Sequence, residues 1–170
     1  MKYIGPDFCN ITTLLTDEEL LIQKTANEFV TKEFMPLVNE YYEKGSFPID
    51  LIPKMGELGF FGATLPKKYG CSEISSTAYG LIMQELEKGD SGLRSVCSVQ
   101  GGLVMYPIFQ YGTEEQKDKW LPKLASGEAV GCFGLTESNH GSDPGGMATK
   151  AVKDGDDWII MPLVKSTINA

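Results

Sequence analysis

The sequence predicts a mainly α chain: an all-helical domain over residues 1–129, then the first strands of a β domain over 130–170. Three observations carry this expectation. Apolar residues recur at helical spacing, as at Ile22, Ala26, Phe29, Val30 and Phe34. Helix-start signals, a threonine followed three residues later by Glu or Gln, stand at Thr16 with Glu19 and at Thr113 with Gln116. After Gly127 the pattern changes to short apolar runs separated by Gly- and Asp-rich turns.

The elements follow in order. Thr16 caps a helix that ends or bends at Pro36. A shorter helix spans 50–58, with Leu51, Met55 and Leu58 on its inner side and Gly59 as its C-terminal cap. Residues 60–70, punctuated by Gly62, Pro66 and Gly70, read as a loop. A helix over 77–88 is broken by Gly89-Asp90-Ser91-Gly92. A long helix over 93–111 follows, with Val96, Val99, Leu103 and Val104 inside and a kink at Pro107. Thr113 caps the next helix, which buries Trp120, Leu121 and Leu124. Strands are expected over 130–136 and 147–152, and Asp154-Gly155-Asp156-Asp157 turns the chain into Trp158-Ile159-Ile160.

Composition narrows the function. The chain has 170 residues, 42% hydrophobic and 22% charged, which supports a folded core. A net charge of −8 with no basic run argues against nucleic acid and anionic membrane surfaces. No apolar stretch approaches membrane-spanning length, and no secretory or transit signal is expected at the start. Cys9, Cys71, Cys97 and Cys132 are dispersed and His140 is the sole histidine, so neither a metal site nor a His-paired nucleophile is expected.

Two motifs carry chemistry. In Gly131-Cys132-Phe133-Gly134-Leu135-Thr136-Glu137-Ser138-Asn139-His140-Gly141-Ser142-Asp143-Pro144, an apolar run stops at a Thr-Glu pair and enters a turn of glycine and small polar residues. Such a segment delivers main-chain N–H groups and hydroxyls to a flat polar ligand and then to a phosphate. In Leu93-Arg94-Ser95-Val96-Cys97-Ser98, Arg94 and Ser98 are four apart and share a helical face. A guanidinium beside a hydroxyl suits a small carboxylate, because the fork matches two oxygens. Taken alone, Thr136 reads first as an N-cap or strand-end hydroxyl, and Arg94 as an arginine that is solvated or paired with a surface acid.

The first motif resembles the flavin signature of the acyl-CoA dehydrogenases, Leu-Thr-Glu-Pro-x-x-Gly-Ser-Asp, with Ser138 in place of the proline. The second, with Gln100, Pro107-Ile108, Tyr111-Gly112 and Glu114-Glu115-Gln116 after it, is similar to the glutaryl-CoA branch of that family. Likeness continues through Leu15-Thr16-Asp17-Glu18-Glu19, Leu58-Gly59-Phe60-Phe61-Gly62, Glu85-Leu86-Glu87-Lys88-Gly89-Asp90-Ser91-Gly92 and Trp120-Leu121-Pro122-Lys123-Leu124. The resemblance implies an N-terminal acyl-CoA dehydrogenase-like helical domain, followed by the first strands of a β-barrel-like middle domain, with the family's C-terminal helical bundle absent. It implies FAD as cofactor, contacted by Phe133, Gly134, Leu135, Thr136, Gly141 and Ser142. It implies an acyl-CoA substrate, glutaryl-CoA, whose free carboxylate meets Arg94, Ser95 and Ser98, with Ser142 near the acyl-CoA. An electron-transfer flavoprotein partner, a homotetramer at full length, and a cytoplasmic or mitochondrial-matrix location follow from the same resemblance.

The chain departs from the family pattern after Trp158. Pro162 is awkward in a central strand, and Thr167 is out of register. No glutamate matches the family's catalytic base, so no catalytic residue is assigned; the chain is expected to be a fragment, inactive by itself. Two alternatives stand beside this reading: a non-catalytic, decayed helical module, and a relative acting on a different acyl-CoA.

Overall fold

The computed structural model describes residues 8–161. The chain divides into two compact units at the bond between Cys132 and Phe133. Pro162 and Thr167 lie outside the described residues.

The first unit is helical. Helix α1, Asp17–Phe29, opens with the expected capping box: the Thr16 hydroxyl accepts from the Glu19 amide at 3.2 Å, and the Glu19 carboxylate accepts from the Thr16 amide at 3.0 Å. Asp17, Glu18 and Glu19 oppose the positive end of the helix dipole. The helix widens into a π-type turn over Val30–Phe34 before Pro36, and α2 covers Val38–Lys44. Helix α3, Leu51–Glu57, ends in a Schellman motif. The Phe60 amide donates to Met55 at 3.0 Å, the Gly59 amide to Gly56 at 2.9 Å, and Gly59 takes φ +70°. Leu51 and Met55 are buried, but Leu58 is 40% exposed. The helix stops one residue short of it, and the reversal at Gly59 turns Leu58 off the inner stripe.

Residues 60–71 form a loop, as expected, and it runs through the interior: Phe60, Phe61, Ala63, Leu65, Tyr69 and Cys71 are all buried. Its own turns satisfy part of its main chain, with Leu65 donating to Gly62 at 2.8 Å and Gly70 to Lys67 at 2.9 Å, while the Ala63 carbonyl accepts from Ile74 at 3.0 Å. Helix α4, Ser76–Gly89, is capped by the Ser75 hydroxyl. Asp90 ends it and caps α5, Ser91–Ser98, accepting from the Gly92 and Leu93 amides at 2.7 and 3.2 Å.

The expected long helix is interrupted. A π-type segment, Val99–Met105, separates α5 from α6, Tyr106–Tyr111, and the Tyr106 amide reaches back five residues to Gly101. Pro107 has no N–H with which to continue the ordinary ladder, so the widening falls just before it. The extra residue per turn rotates the apolar stripe. Leu103, expected inside, is 45% exposed, while Gln100, Gly101 and Met105 are buried. Val96 and Val104 pack half-buried against the core.

Helix α7, Glu114–Ser126, begins with the second expected capping box and ends at Gly127, φ +78°. Leu121, Leu124 and Ala125 face inward; Trp120 is 43% exposed, because it sits about 100° round the helix from Leu121. Phe29 meets Phe60 edge-on at 5.7 Å in the core. Between α1 and α4 the buried Glu85 carboxylate accepts from Gln23, Asn27 and Lys88 at 3.1, 2.8 and 2.7 Å.

In the second unit, β1, Lys150–Asp154, pairs antiparallel with β2, Asp157–Met161, around a two-residue turn whose Gly155 takes φ +60°. Both faces of this hairpin are exposed. The strand expected over 130–136 is not formed among the described residues: none of them lies alongside to supply the ladder that defines a strand. The strand expected from 147 starts at Lys150 instead. The amides of Ala148 and Thr149 are taken by the Glu137 carboxylate and cannot enter a ladder.

Candidate functional site

The flavin-signature segment lies on the outside of the second unit. Phe133, Gly134, Leu135, Thr136, Gly141 and Ser142 are all exposed, whereas Glu137, in their midst, is 3% exposed. The main-chain amides of Phe133 to Thr136 and the hydroxyls of Thr136 and Ser142 make no hydrogen bond among the described residues. A Cβ placed on Gly141 would meet nothing within 4 Å, so its backbone can be approached closely. This donor set, open-faced and with a flat main-chain approach, suits the polar edge of an isoalloxazine followed by a pyrophosphate.

Glu137 gives the loop its shape. Its two carboxylate oxygens accept from Ala148 at 2.8 Å and Thr149 at 2.7 Å, and its carbonyl accepts from His140 at 3.2 Å. The Thr149 side chain first, then these two amides, hold its carboxyl below the usual carboxylate range, and the His140 charge adds to the effect.

The second cluster belongs to the helical unit. Arg94 donates from Nη1 to the Ser98 hydroxyl at 3.1 Å, so the expected pair is brought together. Ser98 in turn donates to the Ser95 carbonyl at 3.2 Å, and Ser95 is half-buried. Arg94 Nε also donates to the Glu87 carboxylate at 2.7 Å. The guanidinium, with a hydrogen bond from Ser91, keeps the Glu87 carboxyl below its ordinary range. Arg94 is therefore a carboxylate receptor with a carboxylate from its own chain in it. A nearby cleft of about 80 Å³ is lined by Gly62, Thr64, Tyr79, Gly101, Gly102 and Tyr106. Burial chiefly, then Cys97, raises the Tyr79 phenol, and Arg94 opposes that rise.

Two residues were not assigned from the sequence. Glu87 stands seven residues before Arg94, across the Asp90 break, where helical spacing gives no clue to contact. Glu137 was visible inside the Leu-Thr-Glu signature, but its pairing with Ala148 and Thr149 spans a loop that carries no periodicity.

A larger groove, about 530 Å³, runs along α1 and α3 beside Leu21, Phe29 and Leu58, but Lys32 with Glu28 and Lys54 with Glu33 form ion pairs at it. No three His, Cys, Asp or Glu side chains among the described residues gather to hold a metal ion. No described helix is long and apolar enough to cross a membrane.

Residues 16–128 match the acyl-CoA dehydrogenase N-terminal domain. The chain is 41% identical over 148 residues to a probable acyl-CoA dehydrogenase, YngJ, of Bacillus subtilis, covering 86% of this chain and 38% of the relative. It is 34% identical over 146 residues to the short-chain specific acyl-CoA dehydrogenase of Bos taurus mitochondria, over 86% of this chain and 35% of that one. The fold superposes on glutaryl-CoA dehydrogenase from Mycobacterium smegmatis with a TM-score of 0.86 at 50% identity, over 91% of this chain and 40% of that one. The structure of a glutaryl-CoA dehydrogenase from Mycobacterium smegmatis in complex with FADH2 gives 0.87 at 46% identity, with the same coverage. The chain thus spans about two fifths of the length of the proteins it matches. With its helical unit matched almost from end to end, the chain belongs to the acyl-CoA dehydrogenase family.

Proposed function

We propose that the chain supplies part of the FAD site and the carboxylate end of the substrate pocket in an acyl-CoA dehydrogenase. The substrate is glutaryl-CoA, which is oxidised and decarboxylated to crotonyl-CoA. When bound, FAD supplies the acceptor for the β-hydride of the acyl thioester. The Thr136 hydroxyl and the amides of Phe133, Gly134, Leu135 and Thr136 would hold the electron-poor edge of the ring by donating hydrogen bonds to it. Donors preset there cost no reorganisation at the moment of transfer. Gly141 admits the pyrophosphate to the main chain, and the Ser142 hydroxyl donates to it and toward the acyl-CoA. Arg94, Ser95 and Ser98 hold the free carboxylate of the glutaryl chain. No residue of this chain is assigned as the base that removes the α-proton, and the assembly proposed is a homotetramer. Electrons leave to an electron-transfer flavoprotein.

The observation that carries the glutaryl reading is the Arg94 guanidinium, which binds a carboxylate oxygen of Glu87 at 2.7 Å while donating to Ser98. Arg94 has five donors, so a substrate carboxylate can join or displace Glu87. A second reading is favoured by the same pair: if Glu87 keeps the arginine, the pocket takes an acyl chain without a carboxylate.

The two part on one experiment. In the complete enzyme, Arg94→Ala is expected to lower kcat/KM for glutaryl-CoA by roughly 30- to 5,000-fold, the loss typical of breaking a desolvated charge pair, and to leave butyryl-CoA turnover near wild type. Equal losses on both substrates would overturn the glutaryl assignment. The cofactor reading is checked by titrating the purified chain with FAD. Bound-flavin absorbance is expected in the wild type, weakened at least tenfold in Thr136→Ala.

A further inference from the structure

We propose that Glu137 is a positioning residue: its buried carboxylate ties the two ends of the 137–149 loop together, so that Thr136, Gly141 and Ser142 face outward in a fixed arrangement before any ligand arrives.

Glu137 is 3% exposed, although Thr136 and Ser138 on either side of it are open to solvent. It is therefore not offered to a ligand. Its Oε2 takes the Ala148 amide at 2.8 Å and its Oε1 the Thr149 amide at 2.7 Å. Two consecutive amides at the far end of the loop thus converge on one side chain at the near end. The backbone of the same residue closes a turn by accepting from His140 at 3.2 Å, and a second turn closes where Gly146 donates to Asp143 at 3.2 Å. Gly146 completes the packing: a Cβ there would lie 2.6 Å from His140 Nδ1 and 2.7 Å from Asp143 Oδ2. The groups facing the carboxylate are the two amides, the Thr149 side chain and His140, and all of them favour its ionised form.

Burying a charge is costly unless each lone pair finds a donor. Here the donors are amides of an irregular segment that need acceptors as much as the carboxylate needs them. A neutral amide side chain cannot satisfy both: one end of it accepts, and the other presents N–H to N–H. Because every partner in the clamp belongs to the chain itself, the ordering cost is met during folding and not on binding. What the loop holds rests on the flavin reading above; the clamp itself does not.

The test uses the full chain and two readouts. In the wild type, a scalar coupling across the hydrogen bond from the Ala148 nitrogen to the Glu137 carboxyl carbon is expected; its absence overturns the clamp. In Glu137→Gln, the Ala148 and Thr149 amides are expected to exchange with solvent at least tenfold faster, while the Leu86 and Leu124 amides of the helical unit keep wild-type protection and show that the chain is folded. FAD affinity is expected to fall at least tenfold in the same variant. Unchanged exchange, or released exchange with FAD affinity within twofold of wild type, overturns the positioning role. A wild type that takes up no FAD overturns the flavin reading instead, and the coupling and the exchange rates then decide the clamp alone.

Discussion

The Cys97 thiol donates to the Phe60 carbonyl at 3.1 Å in the middle of the core, and burial pushes it up to about 12. Burial pushes the Cys71 thiol up to about 11. The thiolate is the reactive form, so neither side chain is a nucleophile near neutral pH, and neither is reachable. Cys9 and Cys132 are exposed. A disulfide reagent at pH 8 is therefore expected to modify these two in the native chain and all four once it is unfolded; rapid modification of Cys97 without unfolding would contradict the packing. The same dependence on neighbours governs Glu87. With Arg94 replaced by alanine, the Glu87 carboxyl loses its principal donor and is expected to titrate at higher pH than in the wild type, which a carbon-detected NMR titration of Glu87 would record.

One side chain of the π-type segment after α5 ties it to the end of α7 and to the residues that follow. Gln100 is buried; its Nε2 donates to the Leu124 carbonyl at 2.9 Å and to the Ala129 carbonyl at 2.8 Å, and its Oε1 accepts from the Gly131 amide at 2.9 Å. Leucine fits the same volume but leaves the Ala129 carbonyl and the Gly131 amide without these partners, while Leu124 keeps only the Gly127 amide at 3.3 Å, so Gln100→Leu is expected to cost about 1–3 kcal/mol of stability. Denaturant unfolding with an unchanged slope would measure it. Thr16→Ala and Thr113→Ala each remove a cap and are expected to cost about 1 kcal/mol, additively because the caps share no partner. Both caps were legible in the sequence because a capping box is local: its donors and acceptors lie within four residues. The Schellman turn at Gly59 was legible for the same reason. The placement of Leu103 and Trp120 was not. A constant 3.6-residue period carries the inner stripe onto Leu103 only if the helix stays regular, and the π-type segment before Pro107 breaks that regularity.

Across the whole chain, what local pattern encodes and what it does not divide along sequence separation. The helical unit, the hairpin at Gly155 and the Arg94–Ser98 pair all follow from neighbours within a turn or two. The Arg94–Glu87 pair, the Glu137 clamp and the buried course of residues 60–71 depend on segments that meet only in the folded chain. Electrostatics at this scale makes a further prediction. The Glu19, Glu87, Glu114 and Glu137 carboxyls are all held below their ordinary value of 4.5, led respectively by the Thr16 amide, Arg94, Lys117 and the Thr149 side chain. A carboxyl whose folded pKa is depressed adds stability that is complete above its unfolded value and is lost as the pH falls through the folded one. Opposing this, the net charge of −8 repels itself at pH 7 and is relieved on the way down to the isoelectric point near 4.7. Relief ends where the loss begins, so the two effects do not cancel. The melting temperature is expected to hold or rise slightly from pH 7 to about 5 and to fall steeply below about 4.5. At the alkaline end, Lys44 and Lys68 are raised above 10.5, by Glu40 and by Tyr69 with Glu114 respectively. Their contribution is present below 10.5 and is lost as the pH climbs through the raised values. Circular dichroism melts from pH 3 to 11 test both limbs. A melting temperature that climbs steadily down to pH 3 would mean that self-repulsion, and not the four paired carboxylates, governs acid stability.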